Sequence, residues 1–160
     1  MTRKTAYNAA TLTVTVTEAI TLNSREYGST QSTTFASIAD VARRIVNVLH
    51  TAETEIITLS TVTNAGTFKE DKVMYIRVTN LDDTNHVALT FKNESNDEFG
   101  LKLDKGQTFI YNGDFDAGVV DTMDAAAGAV TPDSFEDLVN ITAKANNGAV
   151  DLEVFIASIA

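Results

Sequence analysis

Between Thr11 and Leu22 the chain alternates, with Leu12, Val14, Val16, Ile20 and Leu22 on one side and Thr11, Thr13, Thr15, Thr17 and Thr21 on the other. Period two is the mark of a strand, because successive side chains of extended backbone point to opposite faces. Glu18 falls on the apolar side, so a bulge or bend is expected there that splits the run. An apolar face backed by a threonine face is also readily paired by another chain unless its edge is covered. Threonine is in excess throughout, at about one residue in seven. With Val and Ile it loads the chain with β-branched side chains, whose restricted rotamers suit strands better than helices.

One segment departs from this pattern. Phe35, Ile38, Ala42, Ile45 and Leu49 recur at three- and four-residue spacing after Thr33 and Thr34, either of which can cap a first turn. That spacing predicts one amphipathic helix near residues 34–50. Arg43 and Arg44 lie off the stripe, where they face water or meet an acidic loop of a neighbouring subunit.

Strand texture returns at Ile56, Ile57 and Leu59 and continues through Met74, Ile76 and Val78, then Val87, Leu89 and Phe91, then Phe99, Leu101 and Leu103, then Thr108 to Tyr111. The loop from Asn80 to Asn85 is rich in Asp and Asn, which bond to their own backbone in turns. Asp104, Lys105 and Gly106 read as a bulged hairpin turn, so the four strands from Met74 to Tyr111 are expected to form an antiparallel meander. At the end of the chain, Val139, Ile141, Ala143 and Ala145 face Val150, Leu152, Val154 and Ile156 across Asn146, Asn147 and Gly148, the pattern of a closing hairpin. The expected fold is mainly β: a single antiparallel β-sandwich domain over residues 1–160, jelly-roll-like, with an N-terminal arm 1–10 and a long unpatterned loop 112–134.

Composition narrows the chemistry. The sequence has 160 residues and no cysteine, which excludes disulfides, thiolate metal sites and cysteine nucleophiles. A formal net charge of −10 argues against a phosphate-tracking surface. No apolar run approaches the ~20 residues of a membrane-spanning helix, and the start of the chain lacks the apolar stretch of a signal peptide, so an unprocessed protein made in the cytosol is expected. His50 and His86 stand apart, in no metal-binding spacing. Asn112, Asp114, Asp116, Asp121 and Asp124 invite a calcium-loop reading, but Ala117 then stands where that loop needs glycine and Met123 where it needs glutamate. There is no phosphate-cradling glycine loop and no nucleophile elbow. Tryptophan is absent and the four tyrosines are scattered, which leaves little provision for stacking on sugars. No enzyme activity, cofactor or metal is expected.

What remains is work done through surfaces. The charge is uneven: residues 1–50 hold 5 basic and 3 acidic side chains, residues 93–137 hold 2 basic and 11 acidic ones. Such a dipolar chain can associate through complementary patches, and the candidate interface residues are Leu12, Val14, Arg43, Arg44, Asp114, Phe115 and Asp116.

The runs VMYIRVTN (73–80), VALTF (87–91), FGLKLDKGQTF (99–109) and VDLEVFIA (150–157) give most of the chain beyond Ile56 a texture that resembles small structural proteins of tailed bacteriophage virions, marine ones in particular. The resemblance implies a cysteine-free, multimeric β-sandwich placed on the capsid surface as a decoration or cement protein, with the protein itself and the major capsid protein or other virion proteins as partners. A neck or tail adaptor, or a receptor- or carbohydrate-binding module of the tail, are the alternatives it carries.

Overall fold

The structure, a computed structural model, describes residues 8–62, 66–121 and 135–160. Its strands are β1 (Ala10–Thr17), β2 (Thr21–Leu22), β3 (Arg25–Glu26), β4 (Thr30–Val48), β5 (Thr54–Ser60), β6 (Phe68–Lys69), β7 (Val73–Asn80), β8 (Val87–Asn93), β9 (Glu98–Leu103), β10 (Thr108–Asn112), β11 (Leu138–Ala145) and β12 (Val150–Ile159). One five-stranded sheet has the order β1-β4-β12-β7-β10, a second the order β6-β5-β11-β8-β9, and β2 and β3 form a ribbon of their own. All pairings are antiparallel except the short one between β5 and β6.

The pairing is nested. Taking β4, β5 and β7 to β12 as eight strands, the first pairs with the last (β4 with β12), the second with the seventh (β5 with β11), the third with the sixth (β7 with β10), and the two middle ones with each other (β8 with β9). Each sheet turns one face toward a shared core. Val48, Ile76, Val78, Val150, Leu152, Val154 and Ile156 come from the first sheet, and Ile56, Leu89, Phe91, Leu103, Ile141 and Ala143 from the second. The period-two alternation is what makes this possible, since it gives the longer strands of both sheets an apolar face to bury.

The expected helix over 34–50 is absent: residues 34–48 lie in β4, a single strand of 19 residues, about 60 Å along its contour, and Leu49 and His50 follow it. The helical spacing came from irregularities in that strand. Ser37 has a positive φ of 63°, and the pairing slips both against β1, where Ala10 faces Ile38 and Leu12 faces Phe35, and against β12, between Ser158 and Ile159. An inserted residue of this kind resets which face follows, so Phe35 and Ile38 point the same way although three positions apart. Of the rest of the supposed stripe, Ala42 packs against the main core, while Ile45 and Leu49 are exposed.

Two expected connections are also different. The strands from Met74 to Tyr111 are not a meander: β8 and β9 are neighbours in the second sheet, while β7 and β10 pair with each other in the first. β11 and β12 are not a hairpin either, because Asn146, Asn147 and Gly148 carry the chain from one sheet to the other. The expected bend at Glu18 is present, between β1 and β2. Most of the expected arm 1–10, and residues 122–134 of the expected loop 112–134, lie outside the described residues.

Candidate interaction surface

β1 and the first half of β4 form a two-stranded ribbon that continues past the end of β12, the pairing with β12 beginning only at Ile38. One face of the ribbon is a threonine and serine ladder, Thr13 opposite Thr34, Thr15 opposite Ser32 and Thr17 opposite Thr30, with hydroxyl contacts at 3.0 Å and 3.3 Å in the last two pairs. The other face carries Leu12, Val14 and Phe35. Val14 and Phe35 pack with Ile38, Tyr75 and Ala157 into a second, smaller core on the outer face of the first sheet. The sheet curls into a half-barrel there, and the Asn112 amide donates to the Thr33 hydroxyl at 3.5 Å across the curl.

Beyond Thr17 the ribbon kinks and continues to a tip. The Glu18 N–H donates to the Ser29 carbonyl at 2.8 Å and the Tyr27 N–H to the Ile20 carbonyl at 3.0 Å. Gly28 is required at the kink, since a Cβ there would stand 2.2 Å from the Glu18 carbonyl oxygen. Asn23 and Ser24 close the tip with φ of 52° and 61°, both in the left-handed region, as a two-residue type I′ hairpin turn demands. Thr21 faces Glu26 and Leu22 faces Arg25, so Ile20, Leu22, Arg25 and Tyr27 share one face, with the Arg25 guanidinium 5.6 Å from the Tyr27 ring centre. Ile20, Leu22 and Tyr27 are 57%, 56% and 57% exposed. No charged residue occurs between Lys4 and Glu18 or between Glu26 and Asp40, although the chain as a whole is strongly acidic. These two uncharged runs are the sequence signal for the arm.

Behind the arm, the outer face of the first sheet is polar. Arg43 donates through Nε and Nη2 to one Glu153 oxygen at 3.0 Å and 2.6 Å, and Arg77 donates to the other. Arg77 also donates to the Thr79 hydroxyl at 2.8 Å, with its guanidinium 5.9 Å from the Phe155 ring centre. Arg44, one residue on, points to the opposite face and donates to the Ile56 carbonyl at 2.5 Å, joining the two sheets. The two arginines thus do different things, which a helical reading could not show.

Hydrogen bonds from Arg43 and then Arg77 hold the Glu153 carboxyl below the usual glutamate range. The N–H groups of Asn85 and Thr84 do the same for Asp82, and the N–H of Lys105 and the ammonium of Lys102 for Asp104. A carboxyl depressed on folding adds stability that is fully present above its unfolded pKa, about 4, and is lost as pH falls through its folded value. The melting temperature is therefore expected to drop below about pH 4.5, and Glu153→Gln to make that drop shallower while lowering stability at pH 7. Thermal melts of both proteins from pH 7 to pH 2.5 check this; identical acid limbs would refute it. Glu70 is displaced the other way, raised by burial and by the charges of Asp137 and Glu94.

The remaining expected interface residues are split. Asp114 and Asp116 are exposed, and the Asp114 carboxylate accepts the Asp116 N–H at 3.0 Å, which closes its own turn. Phe115 between them is 2% exposed, its ring edge-on to Tyr111, so it is a core side chain rather than a contact for a partner. Val14 is likewise buried, and Leu12 is half-buried. Among the described residues no three His, Asp or Glu side chains stand together as a metal site. Comparison with protein-family models, with curated proteins and with solved structures gave no match.

Proposed function

We propose that this chain is a structural protein of a bacteriophage virion, a capsid decoration protein that acts through protein contacts in many copies. The observation that carries the proposal is the arm: a formed β-ribbon, uncharged along β1 and the first half of β4, whose tip presents Ile20, Leu22 and Tyr27 to solvent beside Arg25. A two-stranded ribbon is marginal alone in water, and an apolar tip on an acidic protein gains most from burial against another protein. On this reading the two sheets are the halves of a jelly-roll sandwich. Their orders β4-β12-β7-β10 and β5-β11-β8-β9 are what results when a long hairpin of nested pairs is rolled into two layers. That architecture is common in viral capsid proteins, and the strand texture noted above points the same way.

The test is attachment. The triple variant Ile20→Ser, Leu22→Ser, Tyr27→Ser is expected to melt like the parent protein, because the three side chains lie outside both cores, and to lose capsid binding by at least about a hundredfold. Cosedimentation with undecorated capsids measures it. Unchanged binding sinks the role of the arm; a parent protein that does not bind capsids sinks the decoration reading. Imaging of virions then counts the copies, and a ring of a few at the portal would place the protein in the neck.

A further inference from the structure

β4 is covered on one side by β12 from Ile38 to Val48, but on the other side β1 reaches only as far as Ile38. From Ala39 to Asn47 that second edge has no strand beside it among the described residues. An edge this long, with Val41 and Ile45 exposed along it, is a template for another strand. We infer that it pairs with the same edge of a second copy, antiparallel, about a two-fold axis at Ile45.

Three constraints select that register. Residues opposite each other in a sheet point to the same face, so the two-fold axis must pass through a residue and not between two. An axis before Arg43 would drive the end of the partner's β4 into β1, which occupies the edge from Thr30 to Ile38. An axis at Arg43 or Arg44 would set identical cations directly opposite, which is unfavourable. Ile45 is the first position free of both faults. It sets Ile45 against its own copy, and at 63% exposure it is the most exposed large apolar side chain among those described.

The charges agree. With the axis at Ile45, Arg43 of each copy faces Asn47 of the other, whose amide already donates to Asp151 at 2.8 Å. A cation on each side thus meets an amide backed by a carboxylate, twice. Arg44 faces Val46 and keeps its bond to the Ile56 carbonyl. The first sheets of the two copies become one continuous sheet, while both arms stay outside the seam. The inference rests on the self-association part of the reading above and not on the capsid.

The sequence has no cysteine, so a single introduced one reports alone. Paired Cα atoms at a strand two-fold lie about 4.5–5.5 Å apart, within disulfide range. Ile45→Cys is expected to form a covalent dimer on mild oxidation, while Val41→Cys and Arg43→Cys stay monomeric on denaturing gels. Ile45→Lys, at an exposed position, should keep the parent's far-ultraviolet spectrum and raise the dimer dissociation constant at least about tenfold by sedimentation. A monomeric parent protein at high micromolar concentration, or equal cross-linking at all three positions, overturns the inference. So does cross-linking that appears only after residues 1–9 are removed, which would give the edge to the chain's own N-terminal segment. Failure here leaves capsid binding by the arm untouched, and the tip variant leaves the seam intact, so the two readings fail separately.

Discussion

Ile141→Ala is expected to cost about 2–5 kcal/mol, a large share of the 5–15 kcal/mol that holds a typical domain together. Ile141 is fully buried in the middle strand of the second sheet, opposite Ile57 on β5 and Phe91 on β8. Phe91 in turn stacks on Phe99 with ring centres 4.7 Å apart, so one row of large side chains crosses the sheet. Removing its central member leaves a cavity lined by residues that are held from both sides and cannot close over it. Urea unfolding should show a lower midpoint with an unchanged slope. A loss below about 1 kcal/mol would mean that the two sheets do not pack as described.

Asn80→Ala should cost nearly as much, about 2–3 kcal/mol, for a different reason. Asn80 is 1% exposed at the end of β7, and its side chain organises the crossing to β8. Its amide donates to the Asn85 carbonyl at 2.9 Å and to the Leu103 carbonyl at 3.4 Å, and its side-chain oxygen accepts the Asp82 N–H at 2.9 Å. Truncation leaves these backbone groups without a partner at a site from which water is mostly excluded, and an unmet buried group costs more than the bond it made. Asp82→Ala, on the outer part of the same turn, should cost less, since water can replace it. If the two variants unfold at the same urea concentration, the weight placed on Asn80 is misplaced.

The class of the fold was legible because alternation is a local property. Leu12 to Leu22, Val87 to Phe91 and Val150 to Ile156 each state their strand without help from the rest of the chain. What alternation does not state is the partner. A strand followed by a tight turn buries the same face whether it folds back beside its predecessor or crosses to the other sheet, so Asn146, Asn147 and Gly148 read as a hairpin while serving as a crossing. The helix was misread for a related reason: the irregularities around Ser37 shift the period of β4, and a shifted strand imitates helical spacing. Of the interaction surface, Arg43 was legible as a charge but its fixing by Glu153, 110 positions away, was not. Phe115 looked available because the acidic residues beside it are, and only the fold shows its ring turned inward.

The nesting of the strands has a consequence for time. β12, the last ten-residue strand, lies in the interior of the first sheet, between β4 and β7. Until it arrives, β4 and β7 have no common neighbour, and their inner faces are open to water. A growing chain therefore cannot close its first sheet until β12 has been made, and contacts this distant in sequence form slowly. Through that interval the uncharged stretches of β1 and of the first half of β4 are already synthesised beside incomplete sheets, the circumstance in which strands pair wrongly between chains. The acidic charge concentrated later in the sequence works against such encounters through mutual repulsion, so the uneven charge acts on yield during folding as well as on contacts afterwards.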